Sequence, residues 1–325
     1  MIPVLAGLDI GGTKCAVVLG VEDEKGITIV AKQSFPTPGT PDLALLTMMN
    51  KLEKLLLEQK EMELKAIGIS CGGPLDSKKG LILSPPNLPN WDQIDVVSIL
   101  GDRFQVPVSL QNDANACALA EWKWGAGKGT NHMIFLTFGT GMGAGFILDG
   151  RLYTGTNDMA GEVGHVRLEA NGPVGFGKAG SFEGFCSGGG IARLAQMKAE
   201  EWLNQGKVTS LCANHDEIAA ITAKTVGEAA QAGDVFANEI FHIVGQKLGR
   251  GLALLVDMLN PERIVIGSIY FRQEALLEPI VMEELRREAL SYSLDVCTVI
   301  PSGLGESVGD LAALSVAKYG LEMNG

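Results

Sequence analysis

Four short stretches of this 325-residue chain combine acids, amides and glycines in patterns able to do chemistry: DIGGTK at 9–14, QNDANA at 111–116, TFGTGMG at 137–143 and AGEVGH at 160–165. A turn without side chains lets backbone N–H groups converge on an anion, because nothing at Cβ holds a phosphate away. That is the functional reading of Gly11-Gly12-Thr13 and of Gly139-Thr140-Gly141. Neither turn is a GxxxxGK[ST] loop, and each leads into a strand. Two ordinary tight hairpins are the plainer alternative. The recurrence of the turn, each time with a threonine hydroxyl and once behind a carboxylate, favours phosphate. Asp9 then makes sense at a strand end, since an acid there is tolerable when it faces Mg²⁺ directly or through water and costly to bury otherwise.

Asn112-Asp113 falls where a strand meets a helix. Asp113 is therefore either a helix cap or a general base taking a proton from a substrate hydroxyl. Its company favours the base: Asn87 in a proline-rich loop, and Glu162 and His165 between glycines, are the amide, carboxylate and imidazole groups that bind sugar hydroxyls.

The elements that must carry these residues follow from periodicity. Apolar runs at 4–10 and 15–19 flank the first glycine turn, and a charged turn at 22–26 leads to 27–31, a three-strand meander. Thr40 and Pro41 open a helix with a stripe of Leu45, Leu46, Met49, Leu52 and Leu56, to about residue 60. A strand is expected at 66–70, a helix at 96–104, a strand at 106–110, and a helix at 113–124 stopped by Gly125. Strands at 133–138 and 146–149 repeat the opening strand, glycine turn, strand. A long helix at 236–259 precedes a strand at 263–267, and a last helix at 306–319 crosses back. The repetition implies a duplicated α/β design facing a central cleft. The expected domains are 1–112, with the helix of 305–325 packed back on it, and 113–304.

Composition narrows the function. A net charge of −12 without basic clusters disfavours nucleic acid. No run is long enough to cross a bilayer and no basic leader is present, so no membrane partner and a cytoplasmic location are expected. Six cysteines without CxxC spacing read as reduced thiols. Forty-two glycines, without any low-complexity tract, belong to turns.

Together these segments resemble the ROK family of sugar kinases, within the actin, hexokinase and Hsp70 superfamily of two-domain ATPases. The resemblance rests on LDIGGTK (8–14), SPPNLPNW (84–91), QNDANACALAE (111–121), TFGTGMGAGFILDG (137–150), AGEVGH (160–165) and NPERIVIG (260–267), in the family's order. It implies a two-domain actin-like, ribonuclease H-like α/β fold and ATP-dependent phosphorylation of a hexose or N-acetylhexosamine. By the same similarity Asp113 is the base and Asp9 organises Mg²⁺. Gly11, Gly12, Thr13, Lys14, Gly139, Thr140, Gly141 and Gly267 hold the nucleotide, and Gly73, Asn87, Asn112, Glu162, His165 and Glu183 hold the sugar. A homodimer is also implied.

Two stretches depart from the family pattern. Where most members carry a CxCGxxGCxE zinc motif, this chain has VGFGKAGSFE, with Val174, Phe176 and Ser181 at the thiolate positions. Structural zinc is therefore not expected, and an apolar contact through Val174 and Phe176 is expected to hold the loop, leaving His165 either a sugar ligand or a loop anchor. After Ile266, Ser268 and Ile269 add side chains where an adenosine would approach. Three readings compete with the ATP-dependent kinase: a sugar-responsive repressor, disfavoured because the LDIGGTK segment starts at residue 8 without room for a helix-turn-helix; a catalytically silent sugar-binding protein, disfavoured by the presence of both Asp9 and Asp113; and a kinase using polyphosphate, disfavoured by the lack of a basic track.

Overall fold

The computed structural model describes residues 1–24 and 26–324; Lys25, in the expected charged turn, and Gly325 lie outside them. The chain divides into two compact units. One comprises Met1–Asn131, Gly145–Ala160 and Glu306–Gly325, the other His132–Ala144 and Gly161–Gly305.

The first unit is built on β1 (Ile2–Ile10), β2 (Lys14–Asp23), β3 (Gly26–Pro36), β4 (Met62–Cys71) and β5 (Val108–Asn112), in the order β3-β2-β1-β4-β5. β1 to β3 form the antiparallel meander, and β4 and β5 run parallel to β1. Branched side chains of these strands face α1 (Pro41–Glu58), whose Thr40 hydroxyl accepts the Leu43 N–H at 3.4 Å. The buried stripe of α1 runs through Leu45, Met48, Leu52 and Leu55, the 3-4-3 spacing of one helix face, whereas Leu46 is exposed. The opposite sheet face carries Gly68, where a Cβ would come within 2.0 Å of the Ala313 carbonyl oxygen. That glycine lets the last helix, Val308–Asn324, lie directly on the strands.

α2 (Val96–Phe104) and α3 (Asp113–Trp124) complete the layers. At the end of α3, Trp122 donates to the Thr130 carbonyl and Trp124 to Glu22, a packing role. A three-stranded sheet of Leu75–Asp76, Leu81–Leu83 and Asp92–Asp95, not foreseen from periodicity, carries the proline-rich loop. The Ser84 N–H bonds the Trp91 carbonyl, and Leu88 and Trp91 are buried, so this loop is pinned at its base.

In the second unit β6 (Met133–Leu136), β7 (Arg263–Ile266) and β8 (Thr298–Pro301) pair in parallel. Around them lie α4 (Phe182–Phe185), α5 (Gly188–Asn204), α6 (Ala223–Gln231), α7 (Val235–Leu259), α8 (Ile269–Arg272) and α9 (Glu274–Glu288). α7 buries Phe236, Ile240, Val244, Leu248, Leu252 and Leu255, and ends at Asn260 in the left-handed region. The fold is the mixed α/β one anticipated from the sequence. Among the described residues all six cysteines are free thiols, and no helix is long and apolar enough to cross a membrane.

Candidate functional site

Strand register assembles the site residues of the first unit. Asp9 pairs with Ser70, Ser70 with Gln111, and Cys71 with Asn112, so Asp9 and Asp113 sit at the carboxyl ends of parallel strands two places apart, about 10 Å across the sheet. This is the edge at which open α/β sheets bind ligands. The helix-cap role falls to Asn112, whose Oδ1 accepts the Asn115 N–H at 2.8 Å. The Asp113 carboxylate accepts the adjacent Ala114 N–H at 2.8 Å, and the residue is exposed. Even so, the surrounding protein withdraws enough water to hold its carboxyl above the usual aspartate range. Burial, then the charge of Asp113, raises the Asp9 carboxyl to about 6, with Lys14 partly opposing.

The first glycine turn is fixed by backbone. Gly11 N–H bonds the Lys14 carbonyl at 3.2 Å, and the Thr37 hydroxyl donates to the Gly11 carbonyl at 2.6 Å. A Cβ on Gly12 would stand 2.5 Å from the Asn87 carbonyl oxygen, so the turn and the proline-rich loop meet at that glycine. The Gly12 and Thr13 amides bond to no other group among the described residues. Thr13, Lys14 and the Asn87 residue are exposed, as is Gly73 just beyond β4.

The second unit gathers a different cluster. The Thr137 hydroxyl accepts the Gly143 N–H at 2.9 Å, and Glu183 Oε2 accepts the Met142 N–H at 3.1 Å. The Gly188 N–H, at the start of α5, bonds the Gly139 carbonyl at 2.8 Å, which brings the positive end of a 17-residue helix to the turn. Glu183 thus braces the turn. AGEVGH packs on the same turn, since a Cβ on Gly164 would lie 2.2 Å from the Met142 carbonyl. Glu162 and His165 are exposed at this loop, and the His165 ring meets Phe176 edge-on at 6.5 Å. Gly267, at the end of β7, donates to the Leu136 carbonyl at 3.0 Å.

The expected apolar contact in the loop that follows is overturned: Val174 is 45% and Phe176 77% exposed. Val174–Gly175 pairs with Lys178–Ala179 in a short hairpin whose tip is Phe176 and Gly177, at φ +42° and +75°, and the Phe176 side chain points to solvent there. Polar contacts hold the loop, among them Arg167 donating to the Ala179 carbonyl at 2.7 Å and Lys178 to the His165 carbonyl at 2.8 Å. Leu168 and Glu169 N–H groups both bond the Gly180 carbonyl, and buried Ser181 caps α4 by accepting the Gly184 N–H. No group of three or more His, Cys, Asp or Glu side chains able to hold a metal occurs among the described residues.

Beside the second turn lies a cavity of about 640 Å³, within the range of small-molecule sites. Gly139, Thr140, Gly188, Lys224, Glu228 and Arg272 line it, together with Ser268 and Ile269, which form its wall rather than close it. Ser268 holds φ +55°, and its hydroxyl accepts from Arg272 at 3.1 Å. Sequence reasoning missed Lys224, Glu228 and Arg272, which stand in no motif; the GGG at 188–190 was a usable signal for the helix start.

A sequence profile described as the ROK family matches residues 5–319. A glucokinase of Halalkalibacterium halodurans is 34% identical over 84% of this chain and 83% of its own. A putative xylose repressor of Caldicellulosiruptor is 33% identical over 68% of this chain and 53% of its own. Among solved structures, a glucokinase from Streptomyces griseus in complex with glucose and AMPPNP superposes with a TM-score of 0.72 at 29% identity, covering 97% of this chain and 99% of that one.

Proposed function

The chain belongs to the ROK family, and from that premise we propose that it is an ATP-dependent sugar kinase acting on a hexose or N-acetylhexosamine, with glucose the first candidate. The observation that carries this reading is the release of Asp113 from capping duty: Asn112 caps α3, and the Asp113 carboxyl stands accessible at the ligand-binding edge of the sheet. Its raised pKa makes it a stronger base. Asp113 takes the proton from the sugar hydroxyl as that oxygen bonds to the γ-phosphorus and the bond to the bridging oxygen breaks, releasing ADP. Asn87, Asn112, Glu162 and His165 orient the sugar. The Gly12 and Thr13 amides serve the phosphates in the first unit. In the second unit the 139–143 turn serves the phosphates, and the adjoining cavity takes the nucleoside.

The Asp9 carboxylate also fits a divalent cation. Asp9 is held near pKa 6 by burial and by Asp113, a repulsion that a cation relieves. Mg²⁺ is commonly bound through one or two carboxylates plus substrate phosphates and waters, so a cluster of three protein ligands is not required. When bound, it supplies charge neutralisation on the phosphates. The test is turnover on a panel of sugars with ATP, GTP and polyphosphate at matched Mg²⁺. Phosphorylation of a hexose with ATP is expected. Sugar binding without any phosphoryl transfer points to a sugar sensor and removes the kinase reading.

A further inference from the structure

Between the exposed groups of AGEVGH and the body of the second unit runs a chain of ion pairs. Glu169 lies four residues beyond His165, and its N–H, with that of Leu168, bonds the Gly180 carbonyl. A Cβ on Gly180 would stand 2.1 Å from the Glu169 carbonyl oxygen, so the segment of Glu169 is in direct contact with the segment leading to Ser181 and α4. Its carboxylate Oε1 accepts from Lys247 Nζ at 2.5 Å and from Arg250 at 2.8 Å, both on α7. Arg250 also donates to Glu284 of α9 at 2.6 Å, and Arg287 donates to the same oxygen at 2.6 Å.

An isolated surface ion pair contributes little, but this one is neither isolated nor wholly on the surface. The Lys247 side chain is 13% exposed and stands 5.5 Å over the Phe185 ring of α4; the Glu284 side chain is 3% exposed. One cation, Lys247, therefore touches both the segment after AGEVGH and the helix bearing Glu183. With Val174 and Phe176 turned to solvent, the loop from 166 to 181 draws no anchorage from an apolar core at its tip.

We propose that Glu169 is a positioning residue: through Lys247 and Arg250 it clamps the 166–181 loop to α7 and so fixes Glu162, His165 and α4 for the sugar. The clamp rests on the kinase reading for its consequence, but not for its existence. Two measurements separate them. Hydrogen exchange at 166–181 reads the clamp without any ligand, and Lys247→Met, which keeps the packing on Phe185, speeds exchange there. Glucose, as the probe, reads the consequence: Lys247→Met and Glu169→Gln raise its KM roughly three- to tenfold with kcat within about twofold, and Lys247→Arg restores it. Raising KCl from about 0.05 M to 1 M shortens screening to about 3 Å and weakens glucose binding to the unaltered protein, measured by calorimetry in chelator, but not to Lys247→Met. Lys198→Met, which breaks a pair between Lys198 and Glu201 on α5, changes none of these values. Unchanged exchange in Lys247→Met overturns the clamp, and faster exchange with unaltered glucose affinity overturns its positioning role. A protein that neither binds nor phosphorylates any sugar of the panel sinks the kinase reading instead, while the exchange data still decide the clamp.

Discussion

The two glycine turns look alike in sequence and differ in what surrounds them. At the first, the glycines face backbone: Gly11 would meet the Lys14 carbonyl at 2.7 Å and Gly12 the Asn87 carbonyl at 2.5 Å. At the second, they face the ends of side chains: Gly139 would meet Ser268 Oγ at 3.2 Å and Gly141 the Glu183 Oε2 at 3.0 Å. Backbone held by a pinned loop cannot give way, whereas a serine hydroxyl or a carboxylate can rotate. The same Gly-rich signature thus marks a rigid seam in one unit and an adjustable rim in the other.

Substitutions should separate the two. Gly12→Ala forces the Asn87 loop off the turn and is expected to cost about 1–3 kcal/mol of stability, read by denaturant unfolding, with nucleotide affinity lost alongside; a neutral outcome would mean the loop yields. Ser181→Ala removes the buried cap that sets α4, and through it Glu183, and should cost about 1 kcal/mol. Gly141→Ala should displace only Glu183 from the Met142 N–H, a loss of about 0.5–1.5 kcal/mol at most; a cost above that of Gly12→Ala would reverse the comparison. Least in magnitude is a shift in pH dependence. The Asp9 carboxyl, raised to about 6, is protonated below that pH. Because its folded value exceeds the ordinary aspartate value of 3.8, its contribution to stability is full below about 3.8 and is withdrawn as pH rises through about 6. Mg²⁺ affinity, measured by calorimetry, should accordingly fall on the acid side of about 6, and Asp113→Asn, by removing the second charge, should move that midpoint lower.

Much of this was legible from residue order. The Thr40 cap, the bounds of α2 and α3 and the left flank of each turn follow from local chemistry, which caps, prolines and glycines state directly. The α1 stripe was displaced onto Met48 and Leu55 because a leucine-rich helix offers more than one apolar face, and tertiary packing chooses among them. The Val174 and Phe176 contact failed for a related reason: hydrophobic type does not reveal whether a hairpin tip has anything to pack against. The sequence offered Asp113 as a cap of α3, and only hydrogen bonding shows that the neighbouring Asn112 takes that role. The bracing of the second turn by Glu183, and the tie from Glu169 to Lys247, join residues 41 and 78 positions apart, a pairing that local pattern does not encode.

The account stands on Asp113 as the group that readies the sugar hydroxyl, so the most direct measurement is the Asp113→Asn variant, with turnover and sugar affinity determined side by side. Turnover should fall on the order of 10²-fold to 10⁴-fold while the sugar dissociation constant stays within about threefold. Turnover equal to that of the unaltered protein would contradict it.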